Sequence, residues 1–72
     1  MKTVKIDTEY IKLNQFLKFA AIIQNGSDGK LIISEGKIKV NGEVETRRGK
    51  KIYDGYIVEF NGEKIKVKVP TE

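Results

Sequence analysis

The chain has no cysteine, no histidine and no tryptophan, and its single proline is Pro70. Without cysteine there are no disulfides and no thiolate metal sites. Without histidine the usual zinc ligand, the commonest general base and the Ser/His and Cys/His nucleophilic pairs are all missing. No apolar run approaches the ~20 residues that span a bilayer, and the opening Met1-Lys2-Thr3-Val4-Lys5 does not begin a signal peptide. Together these absences predict a soluble cytoplasmic protein without membrane contact, metal, cofactor or catalytic residues.

What is present is 72 residues, one domain by length, since domains run to roughly 100–200 residues. A chain this short buries only ~60% of its unfolded surface, which allows one modest core and no deep substrate cleft. Charged residues at 33% and hydrophobic ones at 39% set it apart from disordered chains. The formal net charge is +4, and it is unevenly spread. Residues 37–51 hold six bases (Lys37, Lys39, Arg47, Arg48, Lys50, Lys51) against Glu43 and Glu45, while bases and acids balance elsewhere. A basic segment on a neutral body suits an anionic partner, and polyphosphate is the commonest large one.

Hydrophobic periodicity predicts the elements. Lys2 to Ile6 alternates loosely and reads as a short strand, and Asp7-Thr8-Glu9 as a turn. Leu13, Phe16, Leu17 and Ala20 then share one helical stripe, with Asn14, Gln15 and Lys18 facing away. Phe19 and Ile22 lie off that stripe and widen the expected apolar contact. Gln24-Asn25-Gly26 is the expected helix end, because Asn and Gly tolerate the left-handed conformation. A second helix is expected from Ser27 as cap, with Asp28 at the positive end of the dipole and Leu31, Ile32 and Ile33 facing the core. Gly36 ends it. Gly29 and the β-branched pair weaken this helix by propensity, so a strand remains an alternative.

From Lys37 the period is two, and Lys37 to Val40, Asn41-Gly42 and Glu43 to Glu45 predict a hairpin. A two-residue turn pairs Lys39 with Val44; a three-residue loop, Val40 to Gly42, pairs Ile38 with Val44, Lys39 with Glu43 and Lys37 with Glu45. The second register matches side-chain chemistry on both faces and is the one expected. Asp54-Gly55 and Asn61-Gly62 are the next turns, flanking Tyr56 to Phe60 and leading into Glu63 to Val69. The order β-α-α-β-β-β-β predicts an α+β fold, two short helices packed on a small antiparallel sheet.

Thr46-Arg47-Arg48-Gly49-Lys50-Lys51 is the most informative stretch: four cations around one glycine, in a loop with no acidic neighbour inside it. Arg grips phosphate through two parallel donors and Lys adds a mobile charge, while Gly49 lets backbone N–H groups approach an oxyanion. The bland reading is a solvated loop. Ser27 and Lys30, with the Asn25-Gly26 turn before them, form a second expected phosphate contact, against a reading of ordinary capping. Lys18 is a further candidate on the first helix. Asn25-Gly26-Ser27 also matches a glycosylation acceptor, but reads as a turn. Lys64, Lys66 and Lys68 share one strand face and are expected to protect a sheet edge. Tyr10, Tyr53 and Tyr56 are expected in core or rim packing rather than base stacking. Gly49-Lys50 has no partner glycine at phosphate-loop spacing, and no carboxylate pair suggests acid/base work.

Leu13 to Lys18, Ser27-Asp28-Gly29-Lys30 through Gly36, and Lys37-Ile38-Lys39-Val40-Asn41-Gly42, taken in that order, resemble the S-four RNA-binding domain. That module occurs in a small-subunit ribosomal protein, pseudouridine synthases, tyrosyl-tRNA synthetases and a heat-shock ribosome-recycling protein. The similarity runs from about Tyr10 to Phe60, and Arg47-Arg48-Gly49-Lys50-Lys51 looks most like the small stand-alone bacterial YaaA-type members. The resemblance implies RNA binding by the helix pair and the basic loop, with structured RNA (rRNA or tRNA) or a ribosomal subunit as partner and a role in ribosome assembly or translation. The chain departs from the common pattern at Gly26, Leu31 and Tyr56, where many members carry Arg, a basic residue and Asp. Those departures move the expected weight onto the loop. The expected RNA-binding set is therefore Arg47, Arg48, Lys50, Lys51, Lys30, Ser27, Lys18 and Asn25, in a bacterial cytoplasmic non-enzyme that is monomeric. The alternative is a protein-interaction adaptor docking an acidic partner through the same loop or a sheet edge.

Overall fold

Two Asn-Gly pairs shape the main sheet. Asn41 and Gly42 have φ of 53° and 87°, and Asn61 and Gly62 have 53° and 78°. Positive φ at both central residues makes two-residue hairpin turns whose twist matches the flanking strands. A computed structural model of the chain describes residues 1–70. Its strands are β1 (Lys2–Lys5), β2 (Tyr10–Lys12), β3 (Ile38–Val40), β4 (Glu43–Val44), β5 (Lys51–Tyr53), β6 (Ile57–Phe60) and β7 (Glu63–Lys68). Its helices, α1 (Leu13–Phe19) and α2 (Gly26–Ser34), lie in sequence between β2 and β3.

Five strands form one sheet in the order β1-β7-β6-β3-β4, and β2 pairs with β5 in a separate ribbon. The α+β architecture is as expected, with one change to the sheet. β1 runs parallel to β7, so the sheet is mixed; the two strands lie at opposite ends of the chain, and a parallel neighbour requires such a crossover. Alternation points Ile38, Val40, Val58, Ile65 and Val67 inward. They meet Leu13, Phe16 and Leu17 of α1, Ile33 of α2 and Ile52 of β5 in one core. Each such side chain contributes roughly 1.5–3 kcal/mol by leaving water.

Several local expectations are corrected. The hairpin adopts the two-residue register, pairing Lys39 with Val44 and Val40 with Glu43. Matching side chains across the turn assumed that Val44 belongs to the core, yet Val44 is 55% exposed and lies against Gly36, where an added Cβ would come within 3.4 Å of it. Lys37 accordingly pairs with Glu35 at 3.3 Å, not with Glu45. α1 stops at Phe19, well before Asn25. Ala21 takes φ of 61°, and the Ile22 and Ile23 amides both donate back to the Leu17 carbonyl. This turn sends Ile23 into the core and leaves Phe19 60% exposed. The α2 cap is Asn25, whose carboxamide oxygen accepts the Asp28 amide at 3.0 Å; Ser27 lies inside the first turn. Gly29 is buried in this helix, and a Cβ there would meet the tip of the Ile23 side chain at 2.5 Å, which Ile23 would have to move aside to admit. Leu31 is 57% exposed, so Ile33 and, in part, Ile32 form the buried face.

β7 is an interior strand between β1 and β6. Lys64, Lys66 and Lys68 therefore protect no edge; they lie on the outer face of the sheet. The sequence reading also missed β2 and β5. Tyr10-Ile11-Lys12 and Lys51-Ile52-Tyr53 are reversed copies, and antiparallel pairing sets Tyr against Tyr, Ile against Ile and Lys against Lys.

Gly42→Val tests the turn. Nothing lies within 4 Å of a Cβ at Gly42, so the cost is conformational alone, about 1–2 kcal/mol for a left-handed L-residue and more for a β-branched one. Thermal unfolding should show a clear drop in Tm for Gly42→Val and a smaller one for Gly42→Asn.

Candidate nucleic-acid interface

The first turn of a helix has N–H groups without intrahelical partners, and Lys12, at the N-cap of α1, offers no side-chain acceptor. The basic loop supplies them. The Leu13 amide donates to the Lys50 carbonyl at 2.8 Å, and the Asn14 amide donates to the Arg48 carbonyl at 3.1 Å. The Lys50 amide returns to the Arg47 carbonyl at 3.3 Å, tightening the loop. Gly49 keeps open space on the side a Cβ would occupy. The loop backbone is thus tied to α1 through its carbonyls, while its cationic side chains remain available at the surface.

The β2–β5 ribbon carries the loop's other neighbours. Lys12 and Lys51 are direct cross-strand partners, an arrangement that is destabilising for like charges unless an anion or solvent offsets it. Tyr10 and Tyr53 pack with ring centroids 5.6 Å apart, and Tyr56 meets Tyr53 edge-on at 5.7 Å. Lys51 Nζ sits 4.8 Å from the Tyr10 ring centroid, a cation–π contact worth about 0.5–1 kcal/mol at an exposed site. The three tyrosines form a packed row at the rim.

Two surface hollows adjoin this ribbon. One is lined by Tyr10, Lys12, Gln15 and Lys18 together with Asp7 and Phe19. The other is lined by Arg47, Gly49, Lys50, Lys51 and Tyr53. Of the expected residues, the fold brings Arg47, Lys50 and Lys51 around one hollow and Lys18 to its neighbour; Arg48, exposed in the same loop, lines neither. Asn25, Ser27 and Lys30, at the start of α2, line neither hollow. Asn25 is engaged as the helix cap, whereas Ser27 and Lys30 are exposed. Lys12 was missed by sequence reasoning; the reversed Tyr-Ile-Lys and Lys-Ile-Tyr triplets are the signal that could have found it.

Arg47 differs from its neighbours. Its Nε and Nη2 donate to the two carboxylate oxygens of Glu45 at 2.9 and 3.1 Å, and its amide donates to Oε2 at 3.0 Å. The premise that all four loop cations lack an acidic partner is therefore corrected at Arg47. The bidentate hydrogen bond from Arg47 holds the Glu45 carboxyl down to about 2 from an ordinary 4.5; partial burial opposes this, while the Arg47 amide and the charges of Arg47 and Lys50 add to it. Glu45 is the sheltered partner, 13% exposed against 72% for Arg47. Among the described residues no group of acidic side chains could hold a metal ion, and no helix is long and apolar enough to cross a membrane.

A helix pair on a sheet, with a basic loop tied to the first helix, defines a class of module, and comparison with known proteins gives the family. The model of the S4 domain, the S-four module of the sequence resemblance, matches residues 4–68, and the chain belongs to that family. It is 49% identical over 59 residues to the "Probable ribosome maturation protein RlbA" of Bacillus subtilis, covering 82% of this chain and 83% of the relative. It is 38% identical over 58 residues to YbcJ of Escherichia coli, covering 81% and 83%. The solution structure of Escherichia coli YbcJ, described as revealing an alfaL motif involved in RNA-binding, superimposes with a TM-score of 0.73 at 34% identity, over 96% of this chain and 89% of that one.

The Glu45–Arg47 pair should make stability depend on acid in one direction. The carboxyl is depressed in the folded state, so its contribution is complete above about 4.5 and is lost as pH falls toward about 2. Wild type should melt above Glu45→Gln at neutral pH, and the gap should close across that window. Melting curves of both proteins through the acid range check this.

Proposed function

We propose that the chain is a non-enzymatic RNA-binding protein of the bacterial cytoplasm. It holds structured RNA, ribosomal RNA first, by phosphate contacts and shape, and acts in ribosome maturation or translation. The observation that carries this reading is the cluster of Lys12, Arg48, Lys50 and Lys51 at the N-terminal end of α1, where none of the four is paired with an acid among the described residues. The names of the relatives point the same way: one is called a "Probable ribosome maturation protein", and the other carries a motif described as involved in RNA-binding.

Phosphate contacts position a protein on RNA without reading sequence, and helical RNA is recognised chiefly by shape and backbone. Arg48 supplies a planar fork of donors, and Lys12, Lys50 and Lys51 supply mobile charges. Arg47 contributes less than its neighbours, because Glu45 already occupies its bidentate face. Lys18 extends the cationic surface along α1. Asn25, Ser27 and Lys30 form its far margin, where Ser27 and Lys30 make secondary contacts and Asn25 serves mainly as the cap.

The test is binding to a structured ribosomal RNA fragment at several salt concentrations. Replacing Arg47, Arg48, Lys50 and Lys51 together by Ala should nearly abolish binding. The slope of log affinity against log salt should fall by about 0.7–0.9 for each phosphate that the variant no longer neutralises. The fold should persist, since the carbonyls that cap α1 belong to the backbone; removing the Glu45–Arg47 pair should cost only a small decrease in Tm. Lys30→Glu should weaken binding severalfold, by less than the loop replacement. A folded quadruple variant with wild-type affinity and salt slope would overturn the reading and favour an acidic protein partner.

A further inference from the structure

The balance of charge outside residues 37–51 does not survive folding. Ile65 and Val67 point into the core, so Lys64, Lys66 and Lys68 point outward from β7. The register extends that outer face across the sheet: Lys5 of β1 lies beside Lys68 and Thr3 beside Lys66. On the other side Glu59 lies beside Lys64 and Ile57 beside Lys66, and Lys39 of β3 lies beside Glu59. The face therefore presents Lys5, Lys39, Lys64, Lys66 and Lys68 against one acid. All five lysines are exposed, and none is in an ion pair among the described residues, whose two pairs are Lys37–Glu35 and Arg47–Glu45. Solubility alone does not call for this pattern. Alternating signs across strands stabilise a sheet and like charges directly opposite destabilise it, yet Lys5 stands directly beside Lys68.

We infer that the open face of the five-stranded sheet is a second RNA-binding surface, which grips the phosphate backbone of a separate helical segment. The protein then bridges two segments of folded RNA, one at the α1 loop and one at the sheet. The choice of RNA as partner rests on the proposed function; the existence of an anion-binding face does not. The chemistry specifies the class of ligand. The face carries no aromatic side chain, so it has no platform on which unpaired bases could stack. It carries no arginine, so its contacts are mobile point charges rather than forked grips. Its lysines form a grid with strands ~4.8 Å apart and same-face side chains ~6.6 Å apart along each strand, suited to rows of phosphates. Its apolar side chains are the half-buried Ile57 beside Lys66 and Val44 beside Lys39 at the margin, too few and too scattered to insert into a lipid surface. The helix layer covers the opposite side of the sheet, so a segment bound here leaves the α1 loop free.

The test uses two RNA hairpins carrying a donor and an acceptor fluorophore, with four proteins: wild type, a sheet variant (Lys5, Lys64, Lys66 and Lys68→Thr), a loop variant (Arg48, Lys50 and Lys51→Ala) and their combination. Wild type should bring the two hairpins together. The sheet variant should lose bridging while still binding one hairpin through the loop, and the loop variant should keep only a weak residual binding, which the added sheet substitutions remove. Its salt slope should exceed that of the combined variant by about 0.7–0.9 for each lysine on phosphate. Amide shifts of β1 and β7 in wild-type protein titrated with a hairpin give the same answer without any substitution. Shifts confined to the α1 loop, or a sheet variant that bridges as wild type does, would overturn the inference. So would binding of the face to anionic vesicles and not to RNA. A loop variant that binds as wild type does, beside a sheet variant that does not, would sink the loop reading and leave the sheet surface standing.

Discussion

Two backbone hydrogen bonds from the start of α1 to the carbonyls of Arg48 and Lys50 organise this molecule. A seven-residue helix is marginal without tertiary support, and the first turn of α1 has no side-chain cap. By accepting its free amides, the loop completes the helix, and the helix in turn holds the loop. The cationic side chains gain a defined position without an apolar anchor of their own. The same bonds place loop carbonyls where an anion would otherwise meet the helix terminus, so an anion approaching this end meets side chains and not exposed amides. The β2–β5 ribbon extends from the same junction, which is why Lys12, Lys51 and the tyrosine row belong to one surface.

Charge in this chain is organised by register more than by sequence blocks. Where a cation has an acidic neighbour at short range, as Arg47 has in Glu45, the two are consumed in structure and the acid is driven to about 2. Where alternation strips the acids away, as along β7, cations accumulate on one face. Of the acids, Asp7, Glu9, Asp28, Glu35, Asp54 and Glu63 lie in turns, at helix ends or at a strand terminus. Sequence bookkeeping in one dimension pairs them with lysines that the fold turns elsewhere.

Some of the architecture is legible from residue order, and the reasons are local. Asn-Gly dipeptides specify hairpins because both residues accept positive φ, and the period-two stretch of β7 reads directly as a half-buried strand. The stripe of Leu13, Phe16 and Leu17 identifies α1 because all three must face the core. The failures arise where a second constraint overrides the signal. The β3–β4 register follows the positive φ of Asn41 and Gly42 rather than the matching of side chains across the turn, and leaves Val44 exposed. α1 ends early because the chain turns at Ala21, with positive φ, and carries Ile23 into the core. β2 and β5 were missed because three-residue strands have too little period to read, and their match to each other is visible only when both are compared.

By itself, then, the sequence determined the α+β class, the hairpin turns, the core residues of α1 and β7, the position of the cationic loop and the resemblance to the S4 family. These follow from φ preferences, hydrophobic period and linear spacing, which act over a few residues. Only the tertiary structure decided that Lys12 joins Lys51, that β1 joins the sheet in parallel and that five lysines share its outer face. Each of those depends on which distant segments become neighbours, and that is set by burial of one common core, a property of the whole chain and of no window within it.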